Sequence, residues 1–250
     1  MRLFLVNLSN ERFSYSRHEL NATAESFGVD EIVSWSFEDL MQRPFFAKNA
    51  DTLTQPRGAG YWLWKPYIIL DLLERVENGD VVLYCDAATS LIRDIRPLVD
   101  VCLQNDGFLC IYQYHKNYVW TKRDAFVLMD CDSTEYHEGQ QSVGGFMMYE
   151  KNDKTRAFVR EWLDYCCDPR ILTDMPNECG LPNYEGFKDH RHEQSVISLL
   201  ITRWGIQRFP MICEYHKPHD PPFDVQYVDH HRRQGYSQYP ENPAWKTYIW

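Results

Sequence analysis

Short apolar runs, each closed by polar or turn-forming residues, recur along the first half of the chain and predict β-strands. The clearest of them, VVLYC at 81–85, is apolar throughout and follows a turn-forming segment. Longer stretches with an apolar stripe lie between the runs and predict helices. The predicted strands are 2–7, 31–35, 81–85 and 108–114, and the predicted helices are 16–27, 62–76 and 95–104. This alternation predicts an α/β fold with a mainly parallel central sheet that has helices on both faces.

The second half of the chain is less regular. The run FMMY at 146–149 predicts one more strand after a pair of glycines. Two further amphipathic stretches, 154–167 and 192–204, predict helices. Segments rich in Pro, Gly and Asn predict loops at 52–60, at 168–189 and beyond residue 210. No repeat or low-complexity linker divides the chain, and its length fits one large domain or a core with an appended subdomain.

Composition narrows the classes of function. The chain has 250 residues, a formal net charge of −10 and a mean hydropathy of −0.52. An acidic chain is a poor candidate for coating nucleic acid, which favours basic surfaces. No run approaches the roughly 18 apolar residues of a transmembrane helix. The N-terminus lacks the pattern of a secretory signal and the eight cysteines include no CxxC pair, so we expect a cytoplasmic protein, with the inner face of a membrane as an alternative place of action.

Two segments in the first half carry candidate chemistry. Asp86 follows the strongest predicted strand, at the strand end where open α/β sheets bind ligands; the alternative is an aspartate that caps the next element. The segment 58–66, GAGYWLWKP, has glycines that let a ligand approach the backbone closely. Arg57 and Lys65 flank its centre with charges suited to phosphate, and the alternative is a hydrophobic start of a helix with a solvated lysine.

Four further segments are ambiguous from the residues alone. WTKRD at 120–124 predicts either a salt-bridged start of a helix or a basic site over a diphosphate. The glycine pair at 144–145 predicts either a turn or a backbone surface against which a substrate lies. The segment HRHEQS at 190–195 opens a predicted helix; either Asp189 or His192 caps that helix, or the segment presents a carboxylate and an amide to a site. The histidines at 216, 219, 230 and 231 are either solvated loop residues or metal ligands.

Taken in order, these segments resemble a family of bacterial and viral glycosyltransferase-like proteins of the GT-A class. GYWLWKP at 60–66 is the most specific element of the resemblance. The others are the Tyr-x-Asp-Ala pattern that ends at Ala87, WTKRD, Gly-Gly-Phe at 144–146 and HEQS. The resemblance covers residues 1 to about 235, and the chain is also distantly similar to glycogenin-like and lipopolysaccharide galactosyltransferases.

The resemblance implies a single Rossmann-like GT-A domain that transfers a sugar from a nucleotide-diphosphate donor, with a UDP-sugar as the first choice. The acceptor is a glycan or another hydroxyl compound, in polysaccharide biosynthesis, and nucleic acid is no partner. Residues 1–115 form the nucleotide-binding half, 116–235 the acceptor and sugar half, and 236–250 a tail. A non-catalytic nucleotide- or carbohydrate-binding protein and a metal-dependent phosphodiesterase are the alternatives.

Roles for individual residues also follow from the resemblance. GT-A enzymes hold Mn²⁺ or Mg²⁺ with an Asp-x-Asp element, and here the second aspartate is absent. Asp86 would therefore hold the cation with His216 or His231, or basic side chains would neutralise the diphosphate without metal. The expected catalytic residues are Asp86, Glu193 and Asp124. The expected nucleotide- and diphosphate-binding residues are Asn7, Arg57, Trp62, Lys65, Lys122 and Arg123. The expected sugar- and acceptor-binding residues are Gly144, Gly145, His192 and Gln194.

Overall fold

The computed structural model describes residues 1–213 and 219–234. Six strands of this part of the chain form one sheet in the order β2-β1-β3-β6-β5-β7, and two short strands, β4 and β8, form a second. Only β6 runs antiparallel to its neighbours in the large sheet. The strands are β1 Leu3–Ser9, β2 Glu31–Ser36, β3 Val81–Cys85, β4 Ser90–Leu91, β5 Phe108–Lys116, β6 Gln140–Glu150, β7 Arg208–Phe209 and β8 Val228–Asp229.

Helices cover both faces of the sheet, and a 3-10 turn at Glu11–Phe13 follows β1. Among the described residues, none of the helices combines the length and the apolar character that crossing a bilayer requires. The helices are α1 Ser14–Ser26, α2 Phe37–Met41, α3 Pro44–Lys48, α4 Ala50–Leu53, α5 Gly58–Tyr61, α6 Trp64–Arg75, α7 Arg96–Gln104, α8 Asn117–Trp120, α9 Arg123–Leu128, α10 Thr134–His137, α11 Asp153–Cys166, α12 Pro169–Leu172 and α13 Glu193–Arg203.

Two hydrophobic cores lie on opposite faces of the central strands. Alternate residues of β1 divide between them, with Phe4 and Val6 in one core and Leu3 and Leu5 in the other. The core that contains Phe4 also receives α6, α11 and α13, and the other receives α1 and α7. Burial on both faces explains why β1 and β3 are apolar at nearly every position instead of alternating. The predicted α/β architecture with a mainly parallel sheet is therefore confirmed.

Several local predictions differ from the structure. The predicted strand 146–149 is the second half of an eleven-residue strand, β6, and the glycine pair at 144–145 lies inside that strand and not in a turn. The apolar pattern does not extend into its first half, QQSVGG. Gln141 and Ser142 are buried there, and they form hydrogen bonds with residues of other segments. The predicted loop 52–60 contains parts of two short helical turns, α4 and α5. The tail beyond residue 210 is not all loop, since β8 pairs with β4.

Candidate active site

A cavity of about 570 Å³ opens at the carboxyl ends of β1 and β3. Its wall includes Ser9 at the end of β1, Asp86 just after β3, and Gly144–Gly145 of β6. The turn at Gly58 and the start of α13 close it from other directions. Crevices outside the carboxyl ends of parallel strands are where open α/β sheets bind ligands. The fold therefore brings four of the segments with candidate chemistry to one place.

Asp86 presents its carboxylate to this cavity. Its side chain is 45% exposed, although the strand that precedes it is fully buried. The hydroxyl of Tyr84 donates a 2.7 Å hydrogen bond to Oδ1 of Asp86, and the backbone N–H of Asp86 donates to the carbonyl of Gly145 at 3.0 Å. A Cβ atom on Gly145 would lie 2.8 Å from Oδ2 of Asp86. Glycine is required there because the carboxylate lies directly against the β6 backbone.

A buried ion pair lies beneath Asp86. The ammonium of Lys65 is 2.6 Å from Oε1 of Glu193, donates to the carbonyl of Gly144 at 2.8 Å, and is 3.5 Å from Oδ1 of Asp86. The side chains of Lys65 and Glu193 are 2% and 5% exposed. The indole N–H of Trp162 donates to the backbone carbonyl of Glu193 and fixes the start of α13. Lys65 thus joins α6, β6 and α13 under the cavity.

The charges of this cluster follow from its burial. Burial raises the pKa of Glu193 to about 7, against the opposing effect of Lys65. Burial works against the charge of Lys65 as well, but the two carboxylates of Asp86 and Glu193 outweigh it and raise the pKa of the ammonium. Burial and the nearby Asp86 charge raise the pKa of Tyr84 well above its ordinary value. One cation is therefore shared by two carboxylates, and Tyr84 stays a neutral hydrogen-bond donor.

The turn before Lys65 winds in the left-handed sense. Residues 58–62 all have φ between +50° and +92°, and the N–H groups of Tyr61 and Trp62 donate to the carbonyls four residues earlier. Left-handed helical backbone costs about 1–2 kcal/mol for each residue other than glycine. Gly60 cannot carry a side chain, since a Cβ would lie 2.5 Å from the Cα of Leu53. This strained turn faces the cavity and places the ring of Trp62 in its wall.

His192 is the second strained position in the wall. It has φ 53° and ψ −122° immediately before α13, and its ring stacks on that of Trp62 with 5.6 Å between centroids. Its Nδ1 lies 2.8 Å from the carbonyl oxygen of Leu172. Burial lowers the pKa of His192, so the ring is neutral at neutral pH. A strained conformation of this kind persists only where the surrounding structure holds it in place, and such positions cluster at functional sites.

Gln194 connects the cavity to the end of β5. Its side-chain amide donates to the side-chain oxygens of Gln113 at 3.3 Å and Gln141 at 3.2 Å. Gln141 is buried and donates in turn to Asn117 and Thr121. A hydrogen-bonded amide group at the cavity wall is suited to contact sugar hydroxyls, which both donate and accept.

Three predicted residues around WTKRD do not line the cavity. Asp124 is fully buried and accepts from the backbone N–H groups of Glu178 and Cys179. Lys122 is buried and donates to the carbonyl of Met175 at 2.7 Å. Arg123 pairs with Asp132 at 2.8 Å. The charged groups of Asp124 and Lys122 hold the loop 173–183, and that of Arg123 is bound to Asp132, so the structure gives no support to the catalytic role predicted for Asp124 or to the diphosphate contacts predicted for Lys122 and Arg123.

The remaining predicted residues contribute in different ways. Asn7 is fully buried and donates to Asn21 at 3.0 Å, so it supports the cavity from below and does not face it. Arg57 lines the cavity and pairs with Asp174 and Asp189. Lys65 lies at the cavity with its ammonium buried beneath Asp86, where it is bound to Glu193 and to the carbonyl of Gly144.

The described residues do not fit a resident divalent cation. No group of three or more His, Cys, Asp or Glu side chains in residues 1–213 and 219–234 is arranged to hold one. His231 is 3.4 Å from Glu19 and does not line the cavity, and His216 lies outside the described residues. Of the two carboxylates nearest the cavity floor, Glu193 is bound to Lys65, and Oδ1 of Asp86 already accepts from Tyr84. The ammonium of Lys65 is the positive charge next to Asp86.

Several wall residues were missed by sequence reasoning. Tyr84, which positions Asp86, was hidden because it belongs to an apolar strand pattern. Arg191 lies within the candidate segment 190–195, but no role was predicted for it. Arg12 and Arg232 reach the cavity from segments far apart in sequence, and neither belongs to a local motif that would have identified it.

Two solved structures of glycosyltransferases are similar to this chain. WbbM, a bifunctional glycosyltransferase, matches 93% of this chain with a TM-score of 0.54 at 12% identity, and this chain spans about half of it, 46%. Mouse xyloside xylosyltransferase 1 matches 92% of this chain with a TM-score of 0.51 at 9% identity, and 97% of that chain is covered. No protein-family model matches the sequence, and no curated protein sequence does. At these identities the likeness establishes a fold that glycosyltransferases share.

Proposed function

We propose that this chain is a glycosyltransferase that transfers a sugar from a nucleotide-diphosphate donor, with UDP as the first choice of nucleotide, to a hydroxyl group of a glycan acceptor. The observation that carries the proposal is the half-exposed carboxylate of Asp86, held over the buried Lys65–Glu193 pair in a cavity at the carboxyl end of β3. A cavity of about 570 Å³ is large enough for a small-molecule ligand. The fold shared with two glycosyltransferases gives this arrangement its chemical context.

Asp86 is the catalytic residue in this proposal. Its Oδ1 accepts from Tyr84 and lies near Lys65, which leaves Oδ2 to accept a hydrogen bond from a sugar hydroxyl. In the transfer, the bond between the sugar and the diphosphate breaks, a bond from the acceptor oxygen to the sugar forms, and the proton of the acceptor hydroxyl passes to the carboxylate of Asp86, which acts as the base. Negative charge builds up on the departing diphosphate, so cationic groups that face it lower the barrier.

The other wall residues have supporting roles. Glu193 and Lys65 are positioning residues, because they are buried and act through Asp86. Trp62 offers an aromatic surface in the cavity wall on which a nucleotide base or a sugar ring stacks. Gln194 and the backbone at Gly144 lie in the cavity wall, where they are placed to contact the sugar or the acceptor.

The test is product identification with a panel of nucleotide sugars. The protein is incubated with UDP-, GDP- and dTDP-sugars and CMP-sugars, with and without a mixture of glycan acceptors, and both products are identified by mass spectrometry. The expected result is a nucleoside diphosphate together with a glycosylated acceptor from one donor class. A nucleoside monophosphate with a sugar phosphate would indicate a phosphodiesterase instead. Saturable binding of a donor without any turnover would indicate a non-catalytic binding protein.

A further inference from the structure

Cationic side chains are concentrated at the cavity. Five of them line it against three carboxylates, in a chain whose net charge is −10. A concave site with this charge imbalance focuses its field on small anions. The cationic residues are Arg12, Arg57, Lys65, Arg191 and Arg232, and the acidic ones are Asp86, Asp189 and Glu193.

Three of the five cations have no ion-pair partner in the part of the chain that the structure describes. Lys65 is bound to Glu193, and Arg57 is bound to Asp174 and Asp189. By contrast, Arg12, Arg191 and Arg232 are all exposed at the cavity. No described carboxylate oxygen lies within ion-pair distance, 4.0 Å, of their guanidinium groups. Arginines without acidic partners, grouped in one concave site, are typical of anion recognition.

The fold holds two of these arginines in place. The guanidinium of Arg191 lies 4.1 Å from the ring centroid of Trp120, which fixes the direction of the side chain. The backbone N–H of Arg232 donates to the carbonyl of Ala88 at 3.1 Å, two residues after Asp86. Partial withdrawal from water lowers the pKa of Arg191, and the charge of Arg232 adds to this effect while Asp189 opposes it. The two guanidinium groups are thus near enough to repel each other and to gain from a shared anion.

We propose that Arg12, Arg191 and Arg232 bind the diphosphate of the donor directly, and that they do so without a divalent cation. The inference rests on the proposed function for the identity of the diphosphate. It explains why the second aspartate of an Asp-x-Asp element is dispensable here: the positive charge that a metal would bring is already present as guanidinium groups. Guanidinium groups bind phosphate oxygens in pairs of parallel hydrogen bonds, which also fixes the orientation of the leaving group.

Calorimetry with two probes tests this site. Inorganic pyrophosphate and UDP are each titrated into the full-length protein in EDTA and again in MgCl₂. The expected dissociation constants agree within about twofold between the two conditions, and they rise at least about tenfold in Arg191→Ala and in Arg232→Ala, because each removes charge-assisted hydrogen bonds. Arg75→Ala is the matched control, since Arg75 pairs with Asp71 at the end of α6, outside the cavity wall. Unfolding midpoints verify that each variant is folded, and Arg12→Ala replaces any variant that is not.

The outcomes separate this inference from the proposed function. Binding of pyrophosphate only in MgCl₂, or binding that the arginine variants leave unchanged, overturns the inference whatever the protein's activity. Absence of pyrophosphate binding under both conditions overturns it as well. Pyrophosphate binding in EDTA that the variants weaken, together with a failure of every nucleotide sugar to turn over, supports the anion site and contradicts the glycosyltransferase proposal.

Discussion

The ammonium of Lys65 lies 2.6 Å from Oε1 of Glu193, although 128 positions separate the two residues in the chain. Both side chains are almost fully buried, and the same ammonium is 3.5 Å from Oδ1 of Asp86. This contact joins α6 to the first residue of α13 directly under the cavity. The carboxylate that faces the cavity therefore lies over a buried ion pair that joins two distant helices.

Removing one partner of that pair is expected to destabilise the protein strongly. Lys65→Met leaves the Glu193 carboxyl buried without its cation, which costs about 3–5 kcal/mol of unfolding free energy. The double variant Lys65→Met/Glu193→Gln is expected to recover about 2 kcal/mol of that loss, because an amide is buried neutral without the proton that the Glu193 carboxyl must bind at pH 7 once Lys65 is gone. Urea unfolding at pH 7 of the wild type, both single variants and the double variant completes the cycle. A double variant that is no more stable than Lys65→Met would contradict the pairing.

Glu193 also makes stability depend on pH. Its pKa is about 7 in the folded protein against an ordinary value of 4.5, so the folded state binds a proton that the unfolded state has lost between these pH values. Stability from this group is complete below pH 4.5 and is lost as pH rises through 7, by about 2 kcal/mol between pH 5 and pH 8. The glutamine variant lacks this pH dependence. The unfolding free energy of Glu193→Gln minus that of the wild type is therefore expected to rise by about 2 kcal/mol between pH 5 and pH 8. Unfolding curves at pH 5 and pH 8 measure it, and a constant difference between the two proteins would refute the shifted pKa.

Two aspartates that the sequence presents as equivalent candidates are expected to behave differently. Asp86→Asn changes a half-exposed side chain, so the unfolding midpoint stays close to wild type while turnover falls at least about 100-fold. Asp124→Asn removes a buried carboxylate that accepts three short contacts from backbone N–H groups, and it is expected to cost about 2–3 kcal/mol. The folded fraction of Asp124→Asn keeps its turnover. Loss of turnover per folded molecule in Asp124→Asn would place that residue in the chemistry after all.

The contrast between these aspartates shows how far sequence reasoning reaches. Asp86 could be predicted because a ligand site at the carboxyl end of a parallel strand is a general property of the fold. Asp124 could not be judged, since its partners Glu178 and Cys179 lie more than fifty positions away and offer only backbone groups.

The same limit applies to the sheet and to the arginines. The strand β3 was predictable because both of its faces are buried, which leaves a continuous apolar run. The polar half of β6 was not, because Gln141 and Ser142 are satisfied by contacts with residues on other segments. Arg12 and Arg232 come to the same cavity only in the folded chain.

The glycine pair in β6 offers a graded test of how closely Asp86 is fitted. Gly145→Ala would place a Cβ atom 2.8 Å from Oδ2 of Asp86 and force the carboxylate to move, so turnover is expected to fall at least about tenfold. Gly144→Ala meets Gln194 and Glu193 at 3.3 Å, a contact that small shifts relieve, and is expected to have the milder effect. Steady-state kinetics of the two variants give the order. The reverse order would show that Asp86 is not positioned by this close approach.

The left-handed turn predicts an unusual gain from glycine. Ala59 has φ 50° and ψ 56°, a conformation in which alanine is strained and glycine is not. Ala59→Gly is therefore expected to raise the free energy of unfolding by about 0.5–1 kcal/mol, after allowing for the greater freedom of glycine in the unfolded chain. Ala157, which is exposed on the right-handed helix α11, is the matched control, and Ala157→Gly is expected to lose about 1 kcal/mol. Gly60→Ala is expected to be strongly destabilising, since its Cβ would lie 2.5 Å from the Cα of Leu53. If chemical denaturation shows that both alanine-to-glycine changes destabilise equally, the backbone at residue 59 is not left-handed, and the strained wall of the cavity would have to be described differently.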